Sequence, residues 1–293
     1  MMKALAAAAA ALALAATAAS AQVDHTWVST TGVDKNNTTC TVKFPCATLQ
    51  RAHDELTGST GTITVLDPGE YGPMVITKEV AVDNDTGGPA LLIPNGGPCI
   101  TVDATKGGQV YLRGLTCDGL FANPVGVQVV SAQAVTIERC SIKNFGLTVP
   151  GGVGILVANT DATQLFVYDT TIYNNGSTAN TGGIFVTPAA PSAKVLAVVE
   201  GSRLLDNVVG ILVAGPAVTV EVRNSSFAGN FGPALSLRGS STVVLDHTSV
   251  FDNIVGVQGE AGAKVVTTGT SLVTSNRDAN FSGSFATVPL TAY

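Results

Sequence analysis

The chain is poor in charged, aromatic and histidine residues: 12% of its 293 residues are charged, 5% are aromatic and 3 are histidine. The formal net charge of −6 excludes the basic surface that binds nucleic acid or an anionic membrane. Neither Cys-x-x-Cys nor paired-histidine spacing occurs, and compact zinc sites use such spacings. After residue 21, no apolar run is long enough to span a bilayer. We therefore expect no nucleic-acid partner, no membrane span, no metal and no cofactor.

Residues 1–21 have the features of a secretory signal. Lys3 precedes an apolar run over 5–16, and residues 19–21 read Ala-Ser-Ala, a small-residue cleavage site. The mature chain is predicted to begin at Gln22 and to be exported, either secreted or periplasmic. An uncleaved anchor is the alternative.

The five cysteines bear on disulfide formation, because export permits disulfides. Cys40 and Cys46 flank a short turn, and we predict that they pair. Cys99, Cys117 and Cys140 leave an odd number, so their pairing stays open. Cys117 and Cys140 fall at apolar positions of successive repeats, where a buried thiol behaves as a small hydrophobic group.

A short pattern repeats through the second half of the chain. Four asparagines recur at intervals of 23 residues: Asn207, Asn230, Asn253 and Asn276. Each repeat contains three short strands separated by turns, and a period of this length indicates stacked repeats. The sequence therefore predicts an all-β fold, a single-stranded parallel β-helix of about eight rungs with rungs about 4.8 Å apart. The asparagines are expected to stack as an amide ladder.

Alignment of the repeats predicts which side chains point into the coil. The inward column of the third strand is Cys117, Ile142, Ile172, Leu204, Phe227 and Val250. The turn before that strand carries Gly114, Arg139, Asp169, Gly201, Asn224 and His247. Four of these six turn residues are Gly, Asn or Asp, which tolerate the left-handed conformation. An outward column carries Arg113, Glu138, Tyr168, Glu200, Arg223 and Asp246. Its alternating charges are explained by pairing across adjacent strands.

The best helix of the sequence is predicted over 46–56, with Leu49, Ala52 and Leu56 on one face. We expect this helix to cap the first rung, and His53 on it to be exposed to solvent. The expected organisation is a signal at 1–21, an N-terminal segment with the capping helix at 22–61, the β-helix at 62–280 and a C-terminal tail or cap at 281–293.

Four stretches of the chain resemble a known family. The stretches CTVKFPCATLQRAHDEL, ITVLDPGEYGPMVIT, LRGLTCDG and VTIERCSIKN are similar to secreted bacterial right-handed parallel β-helix proteins of the pectate-lyase-like superfamily. The resemblance covers about 25–280. It implies a right-handed coil but no single activity, since the superfamily includes lyases, hydrolases, epimerases, adhesins and proteins of no known activity.

The motifs of the catalytic members are incomplete in this chain. Residues 159–161 read Asn-Thr-Asp, like the first element of the pectin hydrolases, but the Asp-Asp, Gly-His-Gly and Arg-Ile-Lys elements are missing. A turn explains 159–161 equally well. Asp83, Asp85 and Asp103, with Arg113 nearby, are the nearest approach to the converging oxygens of a calcium-dependent lyase.

One predicted surface is unusual for an exposed face. Outward positions of the strand that follows each repeat's glycine form an apolar stripe: Leu156, Phe185, Leu212, Leu235 and Leu237. Such a stripe indicates a covered or contacted surface. It is covered by the chain's own tail, or contacts a partner or a second copy, or reflects an error of register.

These observations favour a secreted or periplasmic β-helix scaffold without catalysis. Its expected partner is a polysaccharide, a cell-surface component or its own copies. The alternative is an enzyme, a lyase acting on uronate-containing polysaccharides.

Overall fold

The computed structural model describes residues 22–104, 107–146 and 151–289. It contains one helix, α1 (Leu49–Glu55), and short strands. In chain order the first strands are β1 (His25–Val28), β2 (Thr60–Val65), β3 (Gly69–Glu70), β4 (Met74–Ile76), β5 (Glu79–Asp83), β6 (Ala90–Leu92), β7 (Ile100–Asp103), β8 (Gln109–Arg113), β9 (Leu115–Asp118), β10 (Val125–Ser131), β11 (Ala134–Glu138), β12 (Ser141–Lys143), β13 (Val153–Val157), β14 (Thr163–Tyr168) and β15 (Thr171–Tyr173). They are followed by β16 (Gly182–Val186), β17 (Val195–Glu200), β18 (Arg203–Leu205), β19 (Val209–Ala214), β20 (Val218–Arg223), β21 (Ser226–Ala228), β22 (Pro233–Arg238), β23 (Thr242–Asp246), β24 (Ser249–Phe251), β25 (Val255–Gly259), β26 (Lys264–Thr267), β27 (Leu272–Val273), β28 (Ala279–Gly283) and β29 (Ala286–Pro289).

The strands form three parallel sheets wound into one coil. The first sheet has 11 strands, in the order β1-β2-β5-β8-β11-β14-β17-β20-β23-β26-β29. The second sheet has 9 strands, β4-β7-β10-β13-β16-β19-β22-β25-β28, and the third sheet also has 9, β3-β6-β9-β12-β15-β18-β21-β24-β27. Each turn of the coil contributes one strand to each sheet. The predicted all-β parallel β-helix is confirmed, with about nine turns where about eight were expected.

Alternation of apolar and polar residues places one side of every strand inside the coil. The predicted inward column of the third sheet is confirmed, since Ile142 pairs with Cys117 on one side and with Ile172 on the other. Ile142 is 1% exposed. The same column continues through Leu204 and Phe227. One continuous hydrophobic core therefore runs along the axis of the coil.

Two corners of the coil are fixed by polar groups. The predicted amide ladder is confirmed: Nδ2 of Asn230 donates to Oδ1 of Asn253 at 2.6 Å, and Asn253 donates to Asn276 at 2.9 Å. At the other corner, all six residues of the predicted turn column have positive φ, between 46° and 70°. These are Gly114, Arg139, Asp169, Gly201, Asn224 and His247.

The start of the coil is closed by α1. The side-chain oxygen of Thr48 accepts from the backbone N–H of Arg51 at 3.2 Å, which caps the helix. Leu49 and Ala52 are fully buried, as the pattern predicts. The helix is shorter than the predicted span 46–56, and β1 adds a strand to the first sheet ahead of it.

The predicted exposure of His53 is wrong, because its side chain is only 2% exposed. Nε2 of His53 accepts from the backbone N–H of Thr77 at 3.2 Å, so the imidazole links the helix to the coil. A short helix packed on the end of a coil buries more than one face, and the residue after Ala52 lies on the second buried face.

Two disulfides lie between residues 40 and 117. Cys40 bonds Cys46, the pair predicted from the sequence, and Cys99 bonds Cys117. Cys140 is a free, buried thiol.

The coil continues beyond the boundary expected at 280. β28 pairs with β25, and β29 pairs with β26. Residues 281–289 therefore add strands to the coil. Residues 1–21, where the signal is predicted, and residues 290–293 lie outside the described part. Among the described residues no helix is long and apolar enough to cross a membrane.

Candidate functional site

The predicted apolar stripe is only partly on the outside of the coil. Leu156 pairs with Phe185, and Phe185 pairs with Leu212, on the outer face of the second sheet. The next position in that column is Ser236. Leu235 and Leu237 are 0% and 1% exposed and belong to the main core. The prediction that these two residues point outward is therefore wrong.

The error has a simple cause in the spacing of the repeat. Leu235 pairs with Ile211, although Ile211 lies 4 residues after Asn207 and Leu235 lies 5 residues after Asn230. One extra residue at this corner moves every following side chain of β22 to the opposite face. The 23-residue interval of the asparagines is unchanged, so it conceals the insertion.

Two of the three remaining stripe residues are buried by the chain itself, and Leu156 is partly exposed. Phe185 and Leu212 are 5% and 2% exposed and form a satellite cluster with Val153 and Val209, with Leu156 packed at its side. Nη2 of Arg238, on the outer face of β22, donates to Oδ1 of Asn180 at 2.6 Å. Asn180 precedes β16, so this contact spans the two strands that carry Phe185 and Leu212. The described part of the tail, 281–289, extends the second and first sheets through β28 and β29 at the end of the coil.

The carboxylates considered for calcium do not converge. Asp83 ends β5 in the first sheet, whereas Asp103 ends β7 in the second sheet. Oδ1 of Asp85 lies 3.3 Å from Nη2 of Arg113 and 3.0 Å from Nη2 of Arg139. Within the described ranges there is no group of three His, Cys, Asp or Glu side chains that could hold a metal ion.

The Asn-Thr-Asp sequence is a turn between two strands. β13 ends at Val157 and β14 begins at Thr163. Asn159 is fully buried, and its Nδ2 donates to the backbone carbonyl of Asp161. The amide thus closes the turn from inside.

The outer face of the first sheet carries an aromatic pair. β14 points Leu165 and Val167 into the core and Phe166 and Tyr168 outward. The two outward rings have centroids 6.0 Å apart and planes inclined by 17°. Both side chains are partly exposed. Two large aromatic groups that contribute little to the core are thereby presented side by side.

Amide side chains line the same face toward the beginnings of the strands. One shallow depression of about 250 Å³ is bordered by Glu79, Gln109 and Tyr111. A second, of about 350 Å³, is bordered by Gln164 and Lys194 together with Gln133. Gln109, Ala134 and Gln164 occupy one row on β8, β11 and β14. Hydrogen-bonding amides therefore recur along the axis of the coil.

Carboxylates and arginines border the far ends of these strands. The phenol of Tyr111 donates to Glu138, and Nε of Arg113 lies 3.6 Å from Oε1 of Glu138. Burial, and then the bond to Glu138, raises the pKa of Tyr111 to about 12. Burial and the neighbouring Glu200 raise the pKa of Tyr168 as well. Both phenols are therefore neutral hydrogen-bonding groups at physiological pH.

The sequence reasoning placed Tyr168 in a charged column and overlooked Phe166 and Tyr111. The signal was present: in the segment TQLFVY the apolar core residues alternate with Gln, Phe and Tyr. Two aromatics two residues apart, on the side opposite the core, mark an outward pair. The charged column itself is in register, but Arg223 forms its ion pair with Glu221 on its own strand.

Three parallel sheets, a buried amide ladder and one shared core define the class as a parallel β-helix. The family model described as "Right handed beta helix region" matches residues 105–284, more than half of the chain. The chain belongs to the right-handed β-helix family.

Among solved structures, the chain is similar to the crystal structure of pectate lyase Pel9A. The TM-score is 0.57 at 14% sequence identity, over 92% of this chain and 78% of that chain. This similarity shows the pectate-lyase-like fold alone. No curated protein matches the chain.

Proposed function

We propose that this chain is an exported, non-catalytic β-helix that binds a polysaccharide along the outer face of its first sheet. The observation that carries the proposal is the outward pair Phe166 and Tyr168 beside amide-lined depressions. Aromatic rings offer flat apolar faces to the C–H faces of sugar rings. Amides and carboxylates beside them match sugar hydroxyls, which both donate and accept.

The repetition of the coil suits a polymer better than a small ligand. Successive strands of the first sheet lie about 4.8 Å apart, so outward side chains of one row are spaced regularly along the coil. Gln109 on β8 and Gln164 on β14 are two strands apart in that row. A chain lying along the coil axis can therefore make the same contact more than once.

Two observations support binding without cleavage. The middle of the outer face of the second sheet carries Phe185 and Leu212 instead of polar groups. On the first sheet, Glu138 accepts a hydrogen bond from Tyr111 and lies 3.6 Å from Arg113 and 3.4 Å from Arg139. A carboxylate held by three groups of the protein is poorly placed to exchange a proton with a leaving group.

The two disulfides support an oxidising destination, either outside the cell or in a periplasm. A mature protein that begins at Gln22 would support export, and a chain that retains residues 1–21 would contradict cleavage.

The test is affinity electrophoresis and calorimetry with a panel of soluble polysaccharides. The native chain is expected to bind at least one polymer, and replacing Phe166 and Tyr168 by alanine should weaken that binding at least about tenfold. Phe231→Ala is the matched control, because Phe231 is 61% exposed but lies outside the first sheet. Binding that is unchanged in the double variant, with an unchanged circular-dichroism spectrum, would place any site elsewhere.

The same samples test the alternative, a lyase of uronate polymers. β-Elimination produces an unsaturated uronate that absorbs in the ultraviolet. Release of this product from polygalacturonate by the native chain would establish the enzyme and overturn the non-catalytic proposal.

A further inference from the structure

We infer that the polysaccharide bound on the first sheet is a neutral one, not a uronate polymer. The inference depends on the proposed function and adds to it the class of ligand. It follows from the charges that surround the aromatic pair.

Carboxylates flank the pair on both sides. Tyr168 pairs in register with Glu138 on β11 and with Glu200 on β17. All three side chains stand on the outer face, and adjacent strands are about 4.8 Å apart. A sugar stacked on Phe166 and Tyr168 therefore lies within a few ångströms of both carboxylates. Glu138 retains 25% exposure of its side chain despite its contacts.

The arginines that border this face are already paired with carboxylates of the protein. Arg113 contacts Asp85 at 3.3 Å and Glu138 at 3.6 Å. Arg139 contacts the same two groups, at 3.0 Å from Asp85 and 3.4 Å from Glu138. The positive charge of these guanidinium groups is therefore offset by two carboxylates of the protein before any ligand binds.

One more acidic group adds to the negative field. Oδ1 of Asp83 is buried and has no hydrogen-bond partner among the described residues. Glu221 stands in the row of Phe166, two strands along, and its charge is offset by Arg223 on the same strand. The nearest lysine at the depressions, Lys194, borders Gln164. Gln164 and Tyr168 are four residues apart on β14, or about 13 Å. The ammonium group of Lys194 therefore lies at the end of the strands opposite to Tyr168.

This arrangement favours binding of sugar hydroxyl groups and disfavours binding of sugar carboxylates. Glu138, Glu200 and Gln164 can accept from the hydroxyls of a neutral sugar, and bonds to ionised acceptors are the stronger ones. A uronate at the same position brings a like charge close to both glutamates. The formal net charge of −6 adds a general repulsion of polyanions.

The experiment compares a neutral and an acidic polymer on the same protein. Hydroxyethylcellulose and glucomannan are the neutral probes, and polygalacturonate is the acidic probe. We expect the better neutral probe to bind at least about tenfold more tightly than polygalacturonate at low salt. The difference should shrink as salt is raised, because screening weakens the repulsion.

Variants assign the discrimination to the carboxylates. Glu200→Gln should raise the affinity for polygalacturonate severalfold, since it removes one like charge and preserves the shape. Glu260→Gln is the control, because Glu260 is an exposed residue just after β25 of the second sheet. Circular dichroism verifies that both variants are folded.

The outcomes separate the two proposals. If polygalacturonate binds more tightly than the neutral probes and Phe166→Ala abolishes that binding, the site stands and the inference is overturned. If Glu200→Gln leaves the preference unchanged, the carboxylates do not set it and the inference is overturned. If the native chain binds no polysaccharide, the proposed function fails and the inference fails with it.

Discussion

At the scale of single residues, the coil is held at one corner by buried amides. Asn207, Asn230 and Asn253 are fully buried, and each satisfies backbone groups of neighbouring rungs. Oδ1 of Asn230 accepts from the backbone N–H of Asn207 at 3.0 Å, and its Nδ2 donates to the carbonyl of Leu204 at 3.1 Å. A side chain that serves several rungs at once cannot be replaced by an apolar one.

Asn230→Ala is expected to lower the free energy of unfolding by about 1–3 kcal/mol, because a buried N–H and a buried carbonyl lose their partner. Gln258→Ala is the matched control, an exposed amide on the second sheet. Thermal denaturation compares the two variants. Equal melting temperatures would show that the ladder contributes no stability.

A second ladder, of hydroxyl groups, occupies the opposite corner. The backbone N–H of Thr170 donates to Oγ of Ser202, and that of Ser202 donates to Oγ of Ser225, each at 3.1 Å. Cys140 holds the equivalent position one rung earlier, and its Sγ lies 3.3 Å from the carbonyl of Glu138. The sequence suggested that Cys140 is a small hydrophobic group. In the structure its thiol takes the place of a hydroxyl in the ladder.

Cys140→Ser is expected to match or exceed the stability of the native chain, whereas Cys140→Val should lose about 1–3 kcal/mol because the carbonyls of Leu112 and Glu138 lose a donor. Burial raises the pKa of the Cys140 thiol to about 12. The thiol should thus resist labelling in the native state and react once per chain in denaturant. Greater stability of the valine variant would contradict the hydroxyl-ladder position.

At the scale of elements, the cap is connected to the coil by a titratable group. Nε2 of His53 accepts from Thr77, and Nδ1 lies 3.3 Å from Oδ1 of Asp54. Nζ of Lys78 donates to the carbonyls of His53 and Leu56. Burial is the main reason that the pKa of His53 is lowered from 6.5, with Lys78 adding to the effect and Asp54 opposing it.

The cap is therefore expected to weaken in acid. Above pH 6.5 His53 is neutral in both states and the cap has its full stability. As the pH falls below 6.5, His53 is protonated in the unfolded chain but remains neutral in the folded chain, because its pKa is lowered there. The free energy of unfolding of the cap therefore decreases. His53→Gln should remove this loss.

The emission of Trp27, the single tryptophan, reports on the cap because it lies in β1. His25 stacks on that ring at 3.9 Å and its own pKa is also lowered, so the measurement is made in a His25→Asn background. An acid transition of equal size with and without His53 would contradict its role.

The loop before β16 contacts the outer face of the second sheet. Asn180 in this loop accepts a hydrogen bond from Arg238 on β22, across the two strands that carry Phe185 and Leu212. Arg238→Ala is expected to loosen this loop and to raise hydrophobic-dye binding severalfold, since a buried apolar cluster becomes accessible. Lys264→Ala is the control. Unchanged dye binding would mean that other contacts keep the stripe covered.

At the scale of the whole molecule, the sequence predicted the coil better than its surface. The strands of the third sheet and the left-handed turns recur in the same order in each rung, and every predicted position among them agrees with the structure. Leu235 failed because a single inserted residue reverses faces without disturbing the asparagine interval. Phe166 was missed because the outward column was assigned by charge. Asn180 lies in a loop without periodicity, so sequence spacing could not place it over the stripe.

The two ends of the coil should differ in local stability. α1 covers the first rung, whereas β28 and β29 each have one neighbouring strand, and every residue of β29 is exposed. Amide hydrogen exchange at neutral pH should be fastest in peptides from 279–289, slower in those covering β1 and slowest in those covering β14 and β17. Edge strands open at lower free energy than central ones. Uniform protection along the chain would contradict this gradient.

The invariant interval between Asn207, Asn230 and Asn253 makes the length of this protein adjustable. Each interval is a complete unit whose lower surface fits the upper surface of the next, because the same amide joins them. Duplication of residues 207–229 should therefore lengthen the molecule by one rung, about 4.8 Å, without a new kind of junction. An ancestral coil could grow by copying a short stretch of gene, and an engineer can use the same stretch as a spacer of chosen reach.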